Sequence, residues 1–240
     1  MQIKTIKTRV FKENENLLDF ILKYVKKLPE KSILVITSKI VALSEGRTAQ
    51  IDPNISHDKM REKIIKSESD FALKTKLVWL TIKDGMVMAS AGIDESNANG
   101  KLILLPKNSF KLAEIIRLKL KEKFKIKNLG VLITDSRTFP LRAGITGVSL
   151  GYAGFKGIRD YRGTPDIFGR ILKFSRTDVA DSLATSAVLY MGEGKEQIPL
   201  VVIKDAPVEF VEKINKNELK IDIREDLYQP LFAKIKKIKF

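Results

Sequence analysis

Three short acidic loops contain the side chains with the most evident chemical capacity. They are Gly92-Ile93-Asp94-Glu95-Ser96-Asn97, Thr134-Asp135-Ser136 and Met191-Gly192-Glu193-Gly194. Carboxylate, hydroxyl and amide oxygens are the ligands of hard cations such as Mg²⁺ and Mn²⁺, and these cations in turn bind phosphates. The same residue types are also common in turns, and the spacing alone favours that simpler interpretation.

Several arginines lie close to these loops in the sequence: Arg137, Arg142, Arg159, Arg162 and Arg170. A planar guanidinium group matches the oxygens of a phosphate or carboxylate, although surface ion pairs with neighbouring aspartates would explain the same pattern. The single histidine, His57, lies in a polar stretch and is predicted to be a solvated helix residue. There is neither a Walker-A loop nor a GxGxxG motif after a strand, so a bound nucleotide would need an unconventional site.

The elements that must position these loops alternate irregularly between helices and strands. Hydrophobic periodicity predicts helices at Leu17–Val25, His57–Leu73, Phe110–Phe124 and Asp178–Met191, with Asn16 and Thr177 as N-caps of the first and last. Apolar runs predict strands at Lys31–Ser38, Lys101–Leu105, Leu129–Ile133 and Pro199–Ile203, and a hairpin joins Leu77–Ile82 to Met86–Ser90 through Asp84-Gly85. The fold class is therefore α/β or mixed α+β. No linker marks a boundary, so residues 1–240 are taken as a single domain or as two interlocked lobes.

A glycine-rich segment lies between Gly144 and Arg170. Such a density of glycine predicts tight turns or backbone that approaches a ligand closely.

The composition limits the classes of function. The chain has 240 residues and no cysteine, so disulfides and thiolate chemistry are excluded. The net charge of +15 favours an anionic partner, either a nucleotide, another polyanionic small molecule or nucleic acid. Aromatic residues are not interleaved with basic ones, so a non-catalytic nucleic-acid-binding protein is the weaker alternative. The sequence shows neither a signal peptide nor a membrane helix, and a cytoplasmic location is expected.

Long sequence blocks resemble one known family. They are SKIVALSEGR from Ser38, AGIDESN from Ala91, GYAGFKGIRDYRGTPDIFGR from Gly151 and DVADSLATSAVLYMGEGKEQIPLVVI from Asp178. Together with the loop ITDS they resemble the coenzyme F420-0:L-glutamate ligase family, the γ-glutamyl ligases, in the family's own order. The resemblance extends over residues 8–204 and implies the two-lobed fold of that family.

The resemblance implies a reaction, its cofactors and its partners. A nucleoside triphosphate, GTP or ATP, phosphorylates the terminal carboxylate of the acceptor F420-0, and the amino group of L-glutamate attacks the acyl phosphate to form an amide. A divalent metal, Mg²⁺ or Mn²⁺, would assist, with K⁺ as a further ion. The family also implies a homodimer, for which the glycine-rich Gly144–Arg170 segment is the candidate interface.

The resemblance assigns roles to individual residues. The metal ligands are Asp94, Asp135, Ser136 and Glu193, with Ser136 standing where the family usually has threonine. The nucleotide contacts are Thr8, Arg9, Val10, Phe11, Ser38, Lys39, Asn97, Met191, Gly192, Gly194, Lys195, Glu196, Gln197 and Ile198. Asp135 and Arg142 are the catalytic candidates, with Arg142 holding a phosphate or the substrate carboxylate.

This chain departs from the family pattern in two places. Leu43 stands where the family often has a lysine, so a charge that could hold the nucleotide is missing. The family's TDTxGR loop appears here as TDSRTFP, with Thr138 replacing the glycine and the arginine moved to Arg137. Because this loop is expected to face the acceptor, a folate such as tetrahydrofolate is an alternative acceptor, used with GTP or ATP.

Overall fold

A computed structural model describes residues 1–232, which form two compact units. The first unit comprises Met1–Arg47 and Pro106–Glu218, and the second comprises Thr48–Leu105 with the described part of the chain that follows Leu219. The segment Thr48–Leu105 is therefore inserted into the first unit in sequence, and the rest of the second unit follows the first. None of the three crossing points carries a Gly- or Pro-rich linker, and for this reason no boundary was evident from the sequence. No helix in residues 1–232 is long and apolar enough to span a bilayer.

The structure contains both helices and strands, which confirms the mixed α/β class. The strands are β1 (Gln2–Ile6), β2 (Ser32–Thr37), β3 (Thr48–Gln50), β4 (Phe71–Lys74), β5 (Trp79–Lys83), β6 (Met86–Ala89), β7 (Lys101–Ile103), β8 (Leu129–Arg137), β9 (Thr146–Ala153), β10 (Ile158–Asp160), β11 (Arg176–Asp178) and β12 (Leu200–Lys204). The helices are α1 (Leu17–Tyr24), α2 (Ser38–Ser44), α3 (His57–Ser67), α4 (Ser109–Phe124), α5 (Val179–Met191) and α6 (Gln229–Phe232).

The first unit is built on a five-stranded sheet with the order β1-β12-β2-β8-β9. β2 and β8 are parallel, and the other neighbouring pairs are antiparallel. α1 and α4 bury their apolar side chains in one cluster with Leu34 and Ile36 of β2 and with Val131 and Ile133 of β8. α5 packs against β9 and β8. The continuous burial of β2 explains its uniformly apolar sequence.

Two glycines of β9 allow helices to approach the sheet closely. A Cβ atom at Gly147 would lie 2.3 Å from the carbonyl oxygen of Ala184 in α5, and one at Gly151 would lie 2.5 Å from the backbone nitrogen of Phe110 in α4. Both distances are far below van der Waals contact, so any larger residue would push a helix away. This part of the glycine-rich segment therefore serves internal packing, and the strand that contains it was not predicted.

The second unit combines the antiparallel sheet β4-β5-β6, the pair β3-β7 and helix α3. Its core includes Ile65 of α3, Leu102 of β7 and Ile93. The predicted hairpin is confirmed, because Asp84 (φ 54°) and Gly85 (φ 81°) both adopt the left-handed conformation that a two-residue turn requires.

Three sequence-based boundaries are wrong. The strand predicted to end at Ile133 continues to Arg137, so Thr134-Asp135-Ser136 is part of β8 and not a loop. The helix predicted to continue to Leu73 ends at Ser67, and Phe71–Lys74 forms β4, because the polar run Ser67–Asp70 interrupts the apolar periodicity. The N-cap of α5 is Asp178 and not Thr177, since the Asp178 side chain accepts a hydrogen bond from the backbone nitrogen of Asp181 at 2.9 Å. The predicted cap of α1 is confirmed: Asn16 accepts from the nitrogen of Asp19 at 3.1 Å.

Candidate functional site

Five strand ends meet at one edge of the sheet in the first unit, which we call the site edge. β1, β2 and β8 end there, and β12 and β9 begin there, as the paired positions show: Ile6↔Leu200, Ile36↔Leu200, Thr37↔Thr134 and Arg137↔Thr146. The adjoining segments are residues 7–16, the start of α2, residues 138–145 and residues 191–199. Ligands of open α/β sheets commonly bind outside the carboxyl ends of parallel strands, which is where β2 and β8 end.

A hydrogen bond joins the ends of the two parallel strands. The Ser38 hydroxyl donates to Oδ1 of Asp135 at 2.8 Å. Ser38 begins α2 directly after β2, and Asp135 lies in β8 one residue beyond the Thr37↔Thr134 pair, so the parallel register brings the two side chains together. The Ser38 side chain is buried and the Asp135 carboxylate is partly exposed. The structure thus orients a carboxylate at the site edge, with exposed Ser136 next to it.

Backbone hydrogen bonds connect the predicted nucleotide segments. The nitrogen of Thr8 donates to the carbonyl oxygen of Gln197 at 2.9 Å, and the nitrogen of Thr37 donates to that of Pro199 at 3.1 Å. Within the loop, the nitrogen of Gly194 donates to the carboxylate of Glu196 at 2.8 Å. The Thr8–Phe11 strip, the Ser38 region and the loop at 191–198 therefore lie together, although the sequence separates them widely.

Some of the predicted nucleotide contacts have side chains engaged elsewhere. Phe11 is buried in the core, with its ring 4.8 Å from that of Phe20. Arg9 forms an ion pair with Glu15, and its guanidinium lies 5.2 Å from the ring of Phe20. The hydrogen bond between this pair raises the pKa of Arg9 and lowers the pKa of Glu15. At Phe11 the backbone is the part that a ligand could reach, whereas Arg9 is partly exposed and Val10 is largely exposed.

The second unit contains Asp94 and Asn97. Asp94 exchanges two backbone hydrogen bonds with Ile103, of 2.9 and 2.8 Å. Its carboxylate accepts from the nitrogen and the hydroxyl of Ser96, at 2.7 and 3.0 Å. Asn97 has a φ of 53°, which is typical of a tight turn. The carboxylate of Asp94, the first metal-ligand candidate, is therefore held in a local turn.

The neighbouring Glu95 is anchored to α3. One carboxylate oxygen lies 2.8 Å from Nε of Arg61 and the other 3.1 Å from Nε2 of His57. His57 is partly exposed, as predicted, but it also pairs with Glu95. The sequence offered no sign of this contact, because His57 and Glu95 are 38 positions apart in the chain.

A second polar cluster at the end of β8 includes two aspartates that the sequence analysis did not identify. Nη2 of Arg137 lies 3.8 Å from Oδ2 of Asp181, and the nitrogen of Ser149 donates to Oδ1 of the same carboxylate at 2.8 Å. Burial, together with the charge of Asp181, raises the pKa of Asp178 to about 6. Burial also raises the pKa of Asp181. Arg142 lies in the exposed loop that follows, where its nitrogen donates to the carbonyl of Phe139 at 3.3 Å.

The oxygen groups at the site edge fit a magnesium-type ion that also binds phosphate. Within either unit, residues 1–232 contain no group of three His, Cys, Asp or Glu side chains that could hold a metal ion. Mg²⁺ is usually bound by one or two carboxylates, with water and substrate phosphates completing the shell. Asp135 and Glu193, with the hydroxyl of Ser136, are donors of this kind in the first unit. Their chemistry therefore matches a metal–phosphate site and not an all-protein cage.

Comparison with known proteins identifies relatives of this chain. The F420-0:Gamma-glutamyl ligase family model matches residues 5–205. The chain is 34% identical to the coenzyme F420:L-glutamate ligase of Methanococcus maripaludis (strain C7) over 231 residues, covering 90% of this chain and 92% of the relative. It is 34% identical to the enzyme of that name from Methanocaldococcus jannaschii, covering 84% and 86%. For that of Archaeoglobus fulgidus the identity is 30%, covering 81% and 83%.

The fold, the site edge and these matches define an enzyme, a ligase that forms an amide bond. The chain belongs to the F420-0:Gamma-glutamyl ligase family. The family resemblance inferred over residues 8–204 is confirmed, with nearly the same limits. A ligase, and not a non-catalytic nucleic-acid-binding protein, is what family membership indicates.

Proposed function

We propose that this ligase joins L-glutamate to F420-0 through a γ-glutamyl amide bond, with GTP as co-substrate. The names of the relatives contain coenzyme F420 and L-glutamate, and they cover most of this chain. The observation that carries the proposal is the site edge. There the Ser38–Asp135 hydrogen bond, the Thr8–Gln197 contact and the loop at 191–198 surround one set of strand ends.

The chemistry requires activation of a carboxylate. A carboxylate oxygen of the acceptor attacks the γ-phosphorus of GTP, a bond to phosphorus forms, and GDP leaves. The amino group of glutamate then attacks the acyl carbon, loses a proton and expels inorganic phosphate. An amide remains. Positioning and charge stabilisation account for most of the catalysis in such phosphoryl transfers.

The residues at the site edge would supply this positioning. Ser38 orients the Asp135 carboxylate, and the backbone of the Thr8–Phe11 strip and the loop at 191–198 would hold the nucleotide. Asp135, Ser136 and Glu193 would hold Mg²⁺ or Mn²⁺. Such an ion, when bound, neutralises phosphate charge during transfer. Arg142 would add a mobile positive charge from the exposed 138–145 loop.

A folate acceptor is the second candidate because of one feature. The chain after Asp135 reads Ser136-Arg137-Thr138 in place of the family's usual loop, so the acceptor side of the site edge differs from the family pattern. An acceptor panel with mass detection decides between the two candidates. F420-0 and tetrahydrofolate would each be incubated with glutamate and either GTP or ATP.

The expected result is a mass increase of one glutamyl unit on F420-0, with GTP preferred. The Asp135→Asn variant should abolish the increase. Asp84→Asn is the matched control, since Asn-Gly supports the same hairpin turn as Asp-Gly. Addition to folate alone would replace the first candidate by the second, and no addition to either acceptor would refute both.

A homodimer is also proposed, supported by exposed apolar side chains in the segment that connects β10 to β11. Ile167, Phe168 and Phe174 are 91%, 89% and 88% exposed. Large apolar side chains exposed together usually mark an interaction surface. Light scattering at micromolar concentration should give twice the chain mass, and Phe168→Ser should shift the mass towards that of one chain. A strict monomer for the unsubstituted chain would contradict the proposal.

A further inference from the structure

Arg137, the last residue of β8, has hydrogen-bonding capacity that the described chain does not use. Its side chain is 20% exposed. Its contacts in residues 1–232 are the 3.8 Å ion pair with Asp181 and the ring of Phe139, 4.8 Å from Cζ. Neither is a hydrogen bond. A guanidinium group carries five N–H donors in a rigid fork, and those of Arg137 are available to a ligand.

Thr146 provides an independent sign of an unsatisfied polar site. It is paired directly with Arg137 across the β8–β9 ladder. The Thr146 hydroxyl oxygen is buried and has no hydrogen-bond partner in the described part of the chain. Directly opposed residues of an antiparallel pair have their side chains on the same face, about 5 Å apart at Cβ. The pair therefore presents a guanidinium fork and a hydroxyl, both without hydrogen-bond partners among the described residues, on the same face of the sheet.

The position of this pair in the sheet indicates which substrate it faces. The proposed nucleotide segments adjoin β1, β12 and β2, which form one side of the site edge. Arg137 and Thr146 lie on β8 and β9, at the other side, and Asp135 lies on β8 two residues before Arg137. In the reaction proposed above, the acceptor carboxylate and the nucleotide must approach the phosphoryl group from opposite directions. The β8–β9 side is thus the acceptor side.

We propose that Arg137, with the Thr146 hydroxyl, binds a carboxylate of the acceptor and determines acceptor specificity. The inference rests on the proposed ligase function and deepens it. An arginine fork binds a carboxylate through two parallel hydrogen bonds, and a neighbouring hydroxyl can donate a third.

Asp181 and Phe139 act as positioning residues for Arg137. Asp181 is fixed by the backbone nitrogen of Ser149, at 2.8 Å, and it attracts one end of the guanidinium. Phe139 covers the guanidinium plane from the following loop. These two contacts orient the guanidinium group of Arg137 without forming hydrogen bonds to its N–H donors.

The test is steady-state kinetics on the full chain, with acceptor, GTP and glutamate varied in turn. The acceptor is F420-0 or tetrahydrofolate, whichever the unsubstituted enzyme extends. Arg137→Gln should raise the acceptor KM by about 10-fold or more, while the KM values for GTP and glutamate change by less than about twofold. Arg137→Lys, which keeps the charge but not the fork, should give a smaller rise.

Further variants separate binding from positioning and from folding. Asp181→Asn should raise the acceptor KM less than Arg137→Gln does, and the double variant should be no worse than Arg137→Gln alone. Arg224→Gln, at an exposed position outside residues 5–205, is the matched control and should match the unsubstituted enzyme. Circular dichroism would confirm folding. If Arg137→Gln does not fold, Arg137→Lys takes its place in the comparison of acceptor KM values.

Two results would overturn the inference. One is an unchanged acceptor KM in folded Arg137 variants, and the other is a rise confined to GTP or glutamate. An unsubstituted enzyme that extends no acceptor would instead refute the proposed function, and this inference would fall with it.

Discussion

Replacing Asp178 by asparagine should stabilise the protein above neutral pH. Asp178 caps α5 by accepting from the nitrogen of Asp181, and an asparagine oxygen can accept the same bond. The substitution removes a carboxylate that is partly buried and close to Asp181, the two causes that raise its pKa from 3.8 to about 6. The cap is kept and the unfavourable charge is lost.

The size of the effect follows from the pKa. A rise of about 2 pKa units corresponds to about 3 kcal/mol, at 1.36 kcal/mol per unit, as an upper limit. Asp178 is only partly buried, and solvent screening reduces the expected gain to about 1–2 kcal/mol. Below about pH 4 the carboxyl is protonated in both the folded and unfolded states, so the variant gains nothing there. Between about pH 4 and pH 6 the unfolded state is ionised while the folded state still holds the proton, so the unsubstituted protein loses stability relative to the variant across this range.

Urea unfolding between about pH 4 and pH 8 measures this difference. The free-energy gain of Asp178→Asn should be near zero at the acidic end and should grow to its full value above about pH 7. Asp84→Asn, at the exposed hairpin turn, controls for the general loss of an aspartate. A variant that is less stable than the unsubstituted protein at pH 8 would refute the reasoning. It would mean that attraction between the carboxylate and the N-terminus of α5 outweighs burial.

Three further predictions concern the site and the packing around it. Asp135→Asn should lower kcat by about 100-fold or more in the glutamate-addition assay, with its circular dichroism spectrum unchanged; activity within twofold of normal would refute the role of the charge. Ser38→Ala should lower kcat by about 10-fold, since the Asp135 carboxylate loses the hydrogen bond that orients it. Ser38→Thr, which keeps a hydroxyl, should retain more of the kcat than Ser38→Ala does. Gly147→Ala should reduce the free energy of unfolding by about 1–3 kcal/mol in urea, because the new Cβ meets the backbone of Ala184; an unchanged midpoint would show that α5 can shift without cost.

Most of the local structure was predictable, because it depends on neighbouring residues. The apolar run of β2, the Asp-Gly turn and the Asn16 cap each act within a few positions of the chain. The failures occurred where distant packing decides. In the sequence, Gly147 and Gly151 resemble turn or ligand-binding glycines. They lie instead within β9, where the close approach of α5 and α4 leaves no room for a side chain.

The candidate site shows the same division between properties that the sequence determines and properties that tertiary packing decides. The sequence by itself determined the family and the residue types, since Asp94, Asp135 and Glu193 lie in recognisable blocks. Only the tertiary structure decided which segments share the site edge. Hydrogen bonding between Thr8 and Gln197, or between Ser38 and Asp135, depends on strand order and register, and these arise from contacts between residues far apart in the chain. The unused donors of Arg137 became evident for the same reason, because only the folded chain shows which acceptors a side chain can reach.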